Sequence, residues 1–259
     1  MRLTTIGDLL LDVIVRLDGR LAIGDDCLAT TLVVPGGQAA NVAAWAAELG
    51  AQARLVGRLG DDDAGELVVR ALLARGVEVV GPAAGRTGTV VSIAAAGDRT
   101  MASDRGNAPD LSPQDLDPSW FDCDVLHVSG YALHREPIAS AALAAAHLAR
   151  DHGARVSLDV SSSSLLDDAS RARARELRPD LTFATEDEQT ALGELDTDWV
   201  LKRGSRGLRT GGRDYPALAI EVVDATGAGD ALAAGYLVGG PELGVETAAR
   251  CCAAAGAMP

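Results

Sequence analysis

From about residue 109 the chain alternates short, apolar, β-rich segments with longer Ala-rich or amphipathic ones, and this rhythm narrows the possible folds more than any other feature. Segments 124–129 (DVLHVS), 155–160 (RVSLDV), 181–184 and 198–202 read as strands. Segments 137–152, about 168–176, 186–193, 229–238 and about 245–255 read as helices, with a Gly-rich turn and hairpin over 204–223. Strands that alternate with helices imply βαβ units and a largely parallel sheet, so the fold class is α/β.

The first half is more mixed. Residues 3–7 and 9–17 read as strand, turn, strand around Gly7-Asp8, and 28–34 as a strand stopped by Pro35-Gly36-Gly37. A helix over 38–49 ends at Gly50, a strand covers 53–57, and a helix over 64–75 ends at Gly76. Residues 77–80 and 87–95 read as strands, with Gly97-Asp98 as a hairpin turn before 99–103. The β-rich pieces at about 9–34 and 87–103 do not fit the alternation and are expected to form a small sheet protruding from the α/β body. With no repeat and no long linker, 1–259 reads as one domain.

Composition removes other classes. Apolar residues make up 47% of 259, which supports a packed core rather than disorder. A net charge of −14 opposes nucleic-acid binding, which needs a basic footprint, and opposes an anionic membrane surface. It does not oppose a nucleotide ligand, because backbone N–H groups hold phosphates whatever the global charge. Four cysteines without a CxxC lead us to expect free thiols in a reducing cytoplasm. Neither a leader-like start nor an apolar run of roughly 18 residues is read.

Asp224-Ala225-Thr226-Gly227-Ala228-Gly229-Asp230 precedes a helical pattern. Small residues permit close approach of a ligand, and a helix start offers unpaired N–H groups at a positive dipole end. Together they suit a phosphate, with Asp230 in the first turn able to accept a hydroxyl proton. Pro35-Gly36-Gly37-Gln38-Ala39-Ala40-Asn41 opens an earlier helix and can lay a substrate against its backbone. The acidic triplet Asp61–Asp63 reads as helix capping ahead of cation binding. The GxxxxGK[ST], GxGxxG, HExxH and GxSxG motifs are absent. The four histidines lack metal-ligand spacing, His127 reads as a core residue, and Ser161–Ser164 as a polar loop.

Gly36-Gly37…Asn41 with Gly57…Gly60-Asp61…Gly65, followed far downstream by Asp224–Asp230, resembles the ribokinase-like (PfkB) carbohydrate kinases over nearly the whole chain. The resemblance implies a three-layer α/β/α sandwich with a mostly parallel sheet and a small β-sheet lid. It implies ATP-dependent phosphoryl transfer to a hydroxyl of a small sugar acceptor, with Mg²⁺ and, in the family, K⁺. It also implies a homodimer contact through the lid. Asp230 then matches the general base, and Ala225, Thr226, Gly227, Ala228 and Gly229 the anion hole. Asp12, Gly36, Gly37, Asn41 and Asn107 match acceptor-binding positions. Lys202, Gly204 and Gly207 match a strand-turn beside the ATP phosphates, and Glu188 an acidic residue linked to metal through water.

The sequence departs from the family at three places. Thr185 stands where an NxxE motif has Asn, Ala225 replaces a usual Thr, and family members usually carry more residues around the adenine and the monovalent cation than follow Cys252 here. The last point leads us to expect a trimmed adenine pocket. Scarce aromatics rank sugars above nucleosides as acceptor, with Tyr131 and Trp120 nearest a plausible substrate loop. Arg99 and Arg105 are candidates to hold a sugar acid. A nucleoside kinase and a non-catalytic ligand-binding homologue are the alternative readings.

Overall fold

The structure is a computed structural model and describes residues 1–21, 24–95 and 98–259. Its main sheet uses β1 (Arg2–Ile6), β4 (Gln52–Val56), β5 (Glu78–Val80), β8 (Val125–Ser129), β9 (Arg155–Asp159), β10 (Leu181–Ala184), β11 (Asp198–Lys202), β12 (Leu208–Thr210) and β13 (Arg213–Tyr215). Their order is β13-β12-β11-β10-β9-β8-β1-β4-β5. The seven strands from β11 to β5 are parallel, and β12 and β13 form an antiparallel hairpin at the edge. The inner strands are buried almost throughout because a parallel sheet is covered on both faces.

One face carries α1 (Gln38–Glu48), α2 (Asp63–Leu73), α6 (Ala228–Gly239) and α7 (Pro241–Cys252). The other carries α3 (Ile138–Asp151), α4 (Asp168–Leu177) and α5 (Glu186–Leu192). Alanines at 39, 40, 43, 44 and 46 are fully buried, so α1 lies close to the sheet and to α6. Trp45 fills the remaining space and donates its indole N–H to the Ala257 carbonyl at 2.8 Å.

The second sheet has the order β3-β2-β6-β7, from β2 (Leu10–Leu17), β3 (Ala29–Gly36), β6 (Thr87–Ala95) and β7 (Asp98–Gly106). These are the two β-rich regions that broke the alternation, and the expected α/β/α sandwich with a small lid is what the chain adopts. Gly97 of the expected hairpin turn lies outside the described residues, as does the side chain of Arg99.

Several expected boundaries move. The hairpin after β11 spans only 208–215, and residues 216–227 run on without regular structure. The last helix begins at Pro241, a residue suited to the first helical position, rather than near 245. Three 3-10 turns occupy 108–121, where no element was read. No disulfide joins any of the four cysteines, and among the described residues no helix is long and apolar enough to cross a membrane.

Candidate active site

The chain leaves β1 toward β4 on one side and β8 toward β11 on the other, so the topological switch lies between β1 and β8. Ligands in open α/β sheets bind outside the carboxyl ends of strands at such a point. Gly7, Ser129, Asp159 and Lys202 all stand at those ends. The Gly36-Gly37 entry to α1 and the Gly-rich entry to α6 face the same edge.

Gly37 is fixed by its backbone: φ is 99°, and a Cβ there would fall 2.4 Å from the Asp8 carbonyl oxygen. Gly36 is fixed by space, since its Cβ would lie 2.2 Å from Asp12 Cγ; the Asp12 carboxyl therefore rests on bare backbone. Asn41, one turn into α1, donates Nδ2–H to Asp230 Oδ2 at 2.7 Å. Gly227 caps α6 at φ 77°, and its first-turn N–H groups lack intrahelical acceptors, leaving a positive helix end beside Asp230.

Burial pushes the Asp230 carboxyl up to about 7, and the nearby Asp159 charge adds to the shift, against the opposing pull of Asn41, Lys202 and Gln38. Lys202 lies beside the 225–229 loop: a Cβ on Gly229 would come 3.7 Å from its Nζ. Its ammonium donates to both oxygens of Asp159, at 2.7 and 2.8 Å, and lies 3.9 Å from Glu188 Oε2. Burial alone would lower the lysine, but these carboxylates outweigh it and hold the ammonium above its ordinary value.

Asp224 organises the loop. Its carboxylate accepts from Thr226 N–H (2.9 Å), the Thr226 hydroxyl (2.6 Å), Gly256 N–H (3.3 Å) and Arg16 Nη2 (3.2 Å). Burial opposes ionisation, yet these donors keep the group below the usual carboxylate range. Arg16 belongs to lid strand β2, so the lid reaches the 224–229 loop directly.

Arg105 pairs with the buried Asp8, and its guanidinium lies 5.2 Å from the Tyr131 ring centroid. Burial raises the Asp8 carboxyl and Arg105 pulls it back. Arg105 is thus paired and largely buried rather than solvated.

The expected site residues do not all converge. Asn107 is buried and donates Nδ2–H to the carbonyls of Leu59 (2.8 Å) and Ala84 (2.5 Å), so its donor end clamps two loops under the lid. Gly204 and Gly207 shape a tight turn after β11, with Gly207 N–H donating to Gly204 O. The acidic triplet caps: Asp62 accepts from Gly65 N–H at 2.9 Å and from the Thr87 N–H and hydroxyl. His127 is fully buried and bonded to Ser157 at 2.9 Å.

Residues 2–258 match the family described as pfkB family carbohydrate kinase. The chain belongs to that family. Fructokinase from Escherichia coli is 30% identical over 274 residues, covering 95% of this chain and 86% of that protein. The ATP-dependent ribose-1-phosphate kinase of Halopiger xanaduensis is 31% identical over 277 residues, covering 97% and 90%. Among solved structures, adenosine kinase from Sinorhizobium meliloti superposes with a TM-score of 0.88 at 25% identity, over 100% of this chain and 95% of that one. The likeness carried by the two signature segments and the fold it implied are both borne out, and the protein is a kinase whose family uses ATP.

Sequence reasoning about this kinase missed Asp8, Arg16, Gln38, Ser129 and Asp159. Asp159 could have been found, because a carboxylate at the carboxyl end of an inner parallel strand is where sites form. The capping box at Thr185 was also legible, as Thr-x-x-Glu before a helix. Arg16, Gln38 and Ser129 carry no local signal; only the fold brings them to the edge.

Proposed function

We propose that this kinase transfers the terminal phosphoryl group of ATP to a hydroxyl of a small, neutral sugar, in the manner of a ribokinase or fructokinase. The observation that carries the reading is the 2.7 Å bond between Asn41 and Asp230, which joins the acceptor-side signature to the phosphate-side signature. Asp12, Gly36, Gly37 and Asn41 form the acceptor side, and the backbone of 225–229 with Lys202 the phosphate side.

The alcohol gives its proton to Asp230, a carboxylate tuned near neutrality and so matched to general-base work. Charge building on the transferred group meets the loop N–H groups and the Lys202 ammonium, held in place beforehand. Transfer of this kind depends on positioning and charge neutralisation more than on covalent chemistry. The lid keeps water away from the reacting hydroxyl.

Mg²⁺ neutralises phosphate charge when bound with the nucleotide. Among the described residues no group of three His, Cys, Asp or Glu could hold a metal directly. Glu188 Oε2 already accepts Thr185 N–H at 2.7 Å. Its carboxylate suits a water-mediated role, consistent with Mg²⁺ arriving on phosphates rather than in a protein cage.

A nucleoside acceptor is the second reading, favoured by the likeness to an adenosine kinase. The pairing of Tyr131 with Arg105 argues against it, since that ring is already covered by a cation. The exposed Leu32 and Val33 on β3 support the further proposal that two copies pair through the lid, which sedimentation would test. The deciding experiment follows ADP release from Mg·ATP over pentoses, hexoses, keto-deoxy acids and nucleosides, with Asp230→Asn as control. Turnover with a sugar, lost in the variant, supports the reading; ligand binding without turnover on any acceptor overturns it.

A further inference from the structure

Arg105 lies in lid strand β7, and Asp8 follows β1 at the carboxyl edge of the main sheet. The two form an ion pair away from water: the Asp8 side chain is 3% exposed and that of Arg105 18%. Asp8 is packed on the entry to α1, since its carbonyl oxygen would lie 2.4 Å from a Cβ on Gly37. Tyr131, in the turn after β8, covers the arginine from another side, with its ring centroid 5.2 Å from the guanidinium. A guanidinium keeps its charge at any working pH, so in a dry site it needs a carboxylate beside it. Asp8 is that carboxylate, and among the described residues no other acid pairs with Arg105. The donors of the arginine are still not used up, because its buried Nε–H has no hydrogen-bond acceptor. A buried donor without a partner calls for an oxygen from outside the chain.

We propose that Asp8 is a specificity-determining residue: by pairing with Arg105 it cancels the arginine's charge and turns away acceptors that carry a carboxylate or a phosphate. The proposal rests on the reading of Gly36, Gly37 and Asn41 as the acceptor side. On that reading the ion pair stands against the acceptor's seat. Counted with the carboxyls of Asp12 and Asp230, it leaves the residues assigned to the acceptor and its base without net positive charge. An anionic acceptor would have to take Arg105 from Asp8 and leave a buried carboxylate unpaired, which is a costly exchange. A sugar hydroxyl needs no exchange, because an uncharged oxygen accepts an N–H while the pair stays closed. Opposing like charges is a common way for a site to reject a wrong partner. Arg105 alone reads as an anchor for a sugar acid; a carboxylate 97 positions away in the chain reverses that meaning.

The test compares the parent with Asp8→Asn and with the double variant D8N/R105M. Each is assayed for kcat/KM on ribose, fructose, a keto-deoxy sugar acid and ribose 1-phosphate. The parent should favour its best neutral sugar over either anion by about 100-fold or more. Asp8→Asn keeps the volume and removes the opposing charge, so the ratio of anion to neutral sugar should rise about tenfold or more. A gain on either anion supports the proposal. The double variant removes both charges and should return the ratio toward the parent's. A merely structural role would lower all acceptors together and leave the ratio where it was. The proposal is overturned by an unmoved ratio in Asp8→Asn, or by a parent that uses either anion within about tenfold of its best sugar.

Thermal melts give a readout that needs no turnover. Asp8→Asn leaves Arg105 a buried cation without its partner and should melt below the parent. The sodium salt of the sugar acid should recover part of that loss, beyond sodium chloride of equal ionic strength, and should leave the parent's melt unmoved. Acid that stabilises parent and variant alike contradicts the proposal. Where Asp8→Asn does not fold, the parent's own preference and the double variant decide: a double variant that gains on the anions without the arginine overturns the proposal. If the parent phosphorylates no sugar, or if Asp230→Asn keeps parental turnover, the reading of the site fails and the role of Asp8 with it. If the parent uses neutral sugars and Asp230→Asn does not, while Asp8→Asn keeps the parental ratio, only the role of Asp8 fails.

Discussion

Asn41 and Asp230 stand 189 positions apart in the chain and share a 2.7 Å hydrogen bond at the carboxyl edge of the sheet. The donor belongs to the helix that opens on Gly36-Gly37, and the acceptor to the helix that opens on the Gly-Ala-Gly loop. Two helix entries thereby meet where a hydroxyl and a phosphoryl group would have to meet.

Asp230→Asn keeps the shape of the side chain and deletes the proposed base. Turnover should fall by roughly 10²–10⁴-fold, with ATP binding retained. Steady-state kinetics with nucleotide titration checks this, and parental turnover would remove Asp230 from the mechanism. In the parent, kcat should rise as pH climbs through about 7, where Asp230 loses its proton.

The same substitution has a stability consequence of definite sign. The folded pKa is raised to about 7, so the native state holds a proton that the unfolded chain releases near 3.8, and stability falls as pH rises between them. Asn carries no such cost. Melts at pH 8 should show Asp230→Asn above the parent, with the gap closing toward pH 4.

Lys202→Met should be damaging twice over. It strips the charge beside the anion loop and leaves the fully buried Asp159 without the ammonium that bonds both its oxygens. Breaking a buried pair from one side costs about 3–5 kcal/mol. Asp159→Asn in the same background should restore much of the stability but not the turnover. Denaturant midpoints would separate the two effects.

Thr185 replaces the family's Asn, and it closes a capping box with Glu188: Thr185 Oγ1 accepts from Glu188 N–H at 3.2 Å, and Glu188 Oε2 from Thr185 N–H at 2.7 Å. Thr185→Ala should cost about 1 kcal/mol in chemical denaturation. Thr185→Asn should cost less than that, since Asn caps as well as Thr.

Arg16→Ala removes the 3.2 Å contact between lid and Asp224. Arg16 is more than a third exposed and Asp224 keeps its Thr226 and Gly256 donors, so global stability should change by less than about 1 kcal/mol. The lid would then seat less firmly over the loop, and more ADP should form per sugar phosphate made, as water gains access. A ratio unchanged from the parent would show that the contact is incidental.

Much of the site was legible as two segments but not as an arrangement. Gly36, Gly37, Asn41 and the 224–230 loop are short stretches whose small residues and helix entries have a local physical meaning. Arg105 was read as a candidate to hold a sugar acid, because sequence shows only its neighbours. Its real partners, Asp8 and Tyr131, come from the end of β1 and the turn after β8. Asn107 was read toward the acceptor, and no local signal shows that its donor end holds the Leu59 and Ala84 carbonyls. An amide's partners depend on which backbone groups the fold leaves unpaired beside it.

The chain's alternation of apolar strands and helices determined the parallel sheet, because buried strands and amphipathic helices have few ways to cover one another. The glycines determined where backbone could be bare, since Gly37 at φ 99° leaves no room for a side chain. Those are properties of neighbours along the chain. Tertiary structure alone decided the lid's reach to Asp224, the pairing of Lys202 with Asp159, and the bonding of Gln38 to Ser129 and Ser161. Each joins groups far apart in the chain, and its energy depends on burial and on distances of about 3 Å that local sequence does not encode.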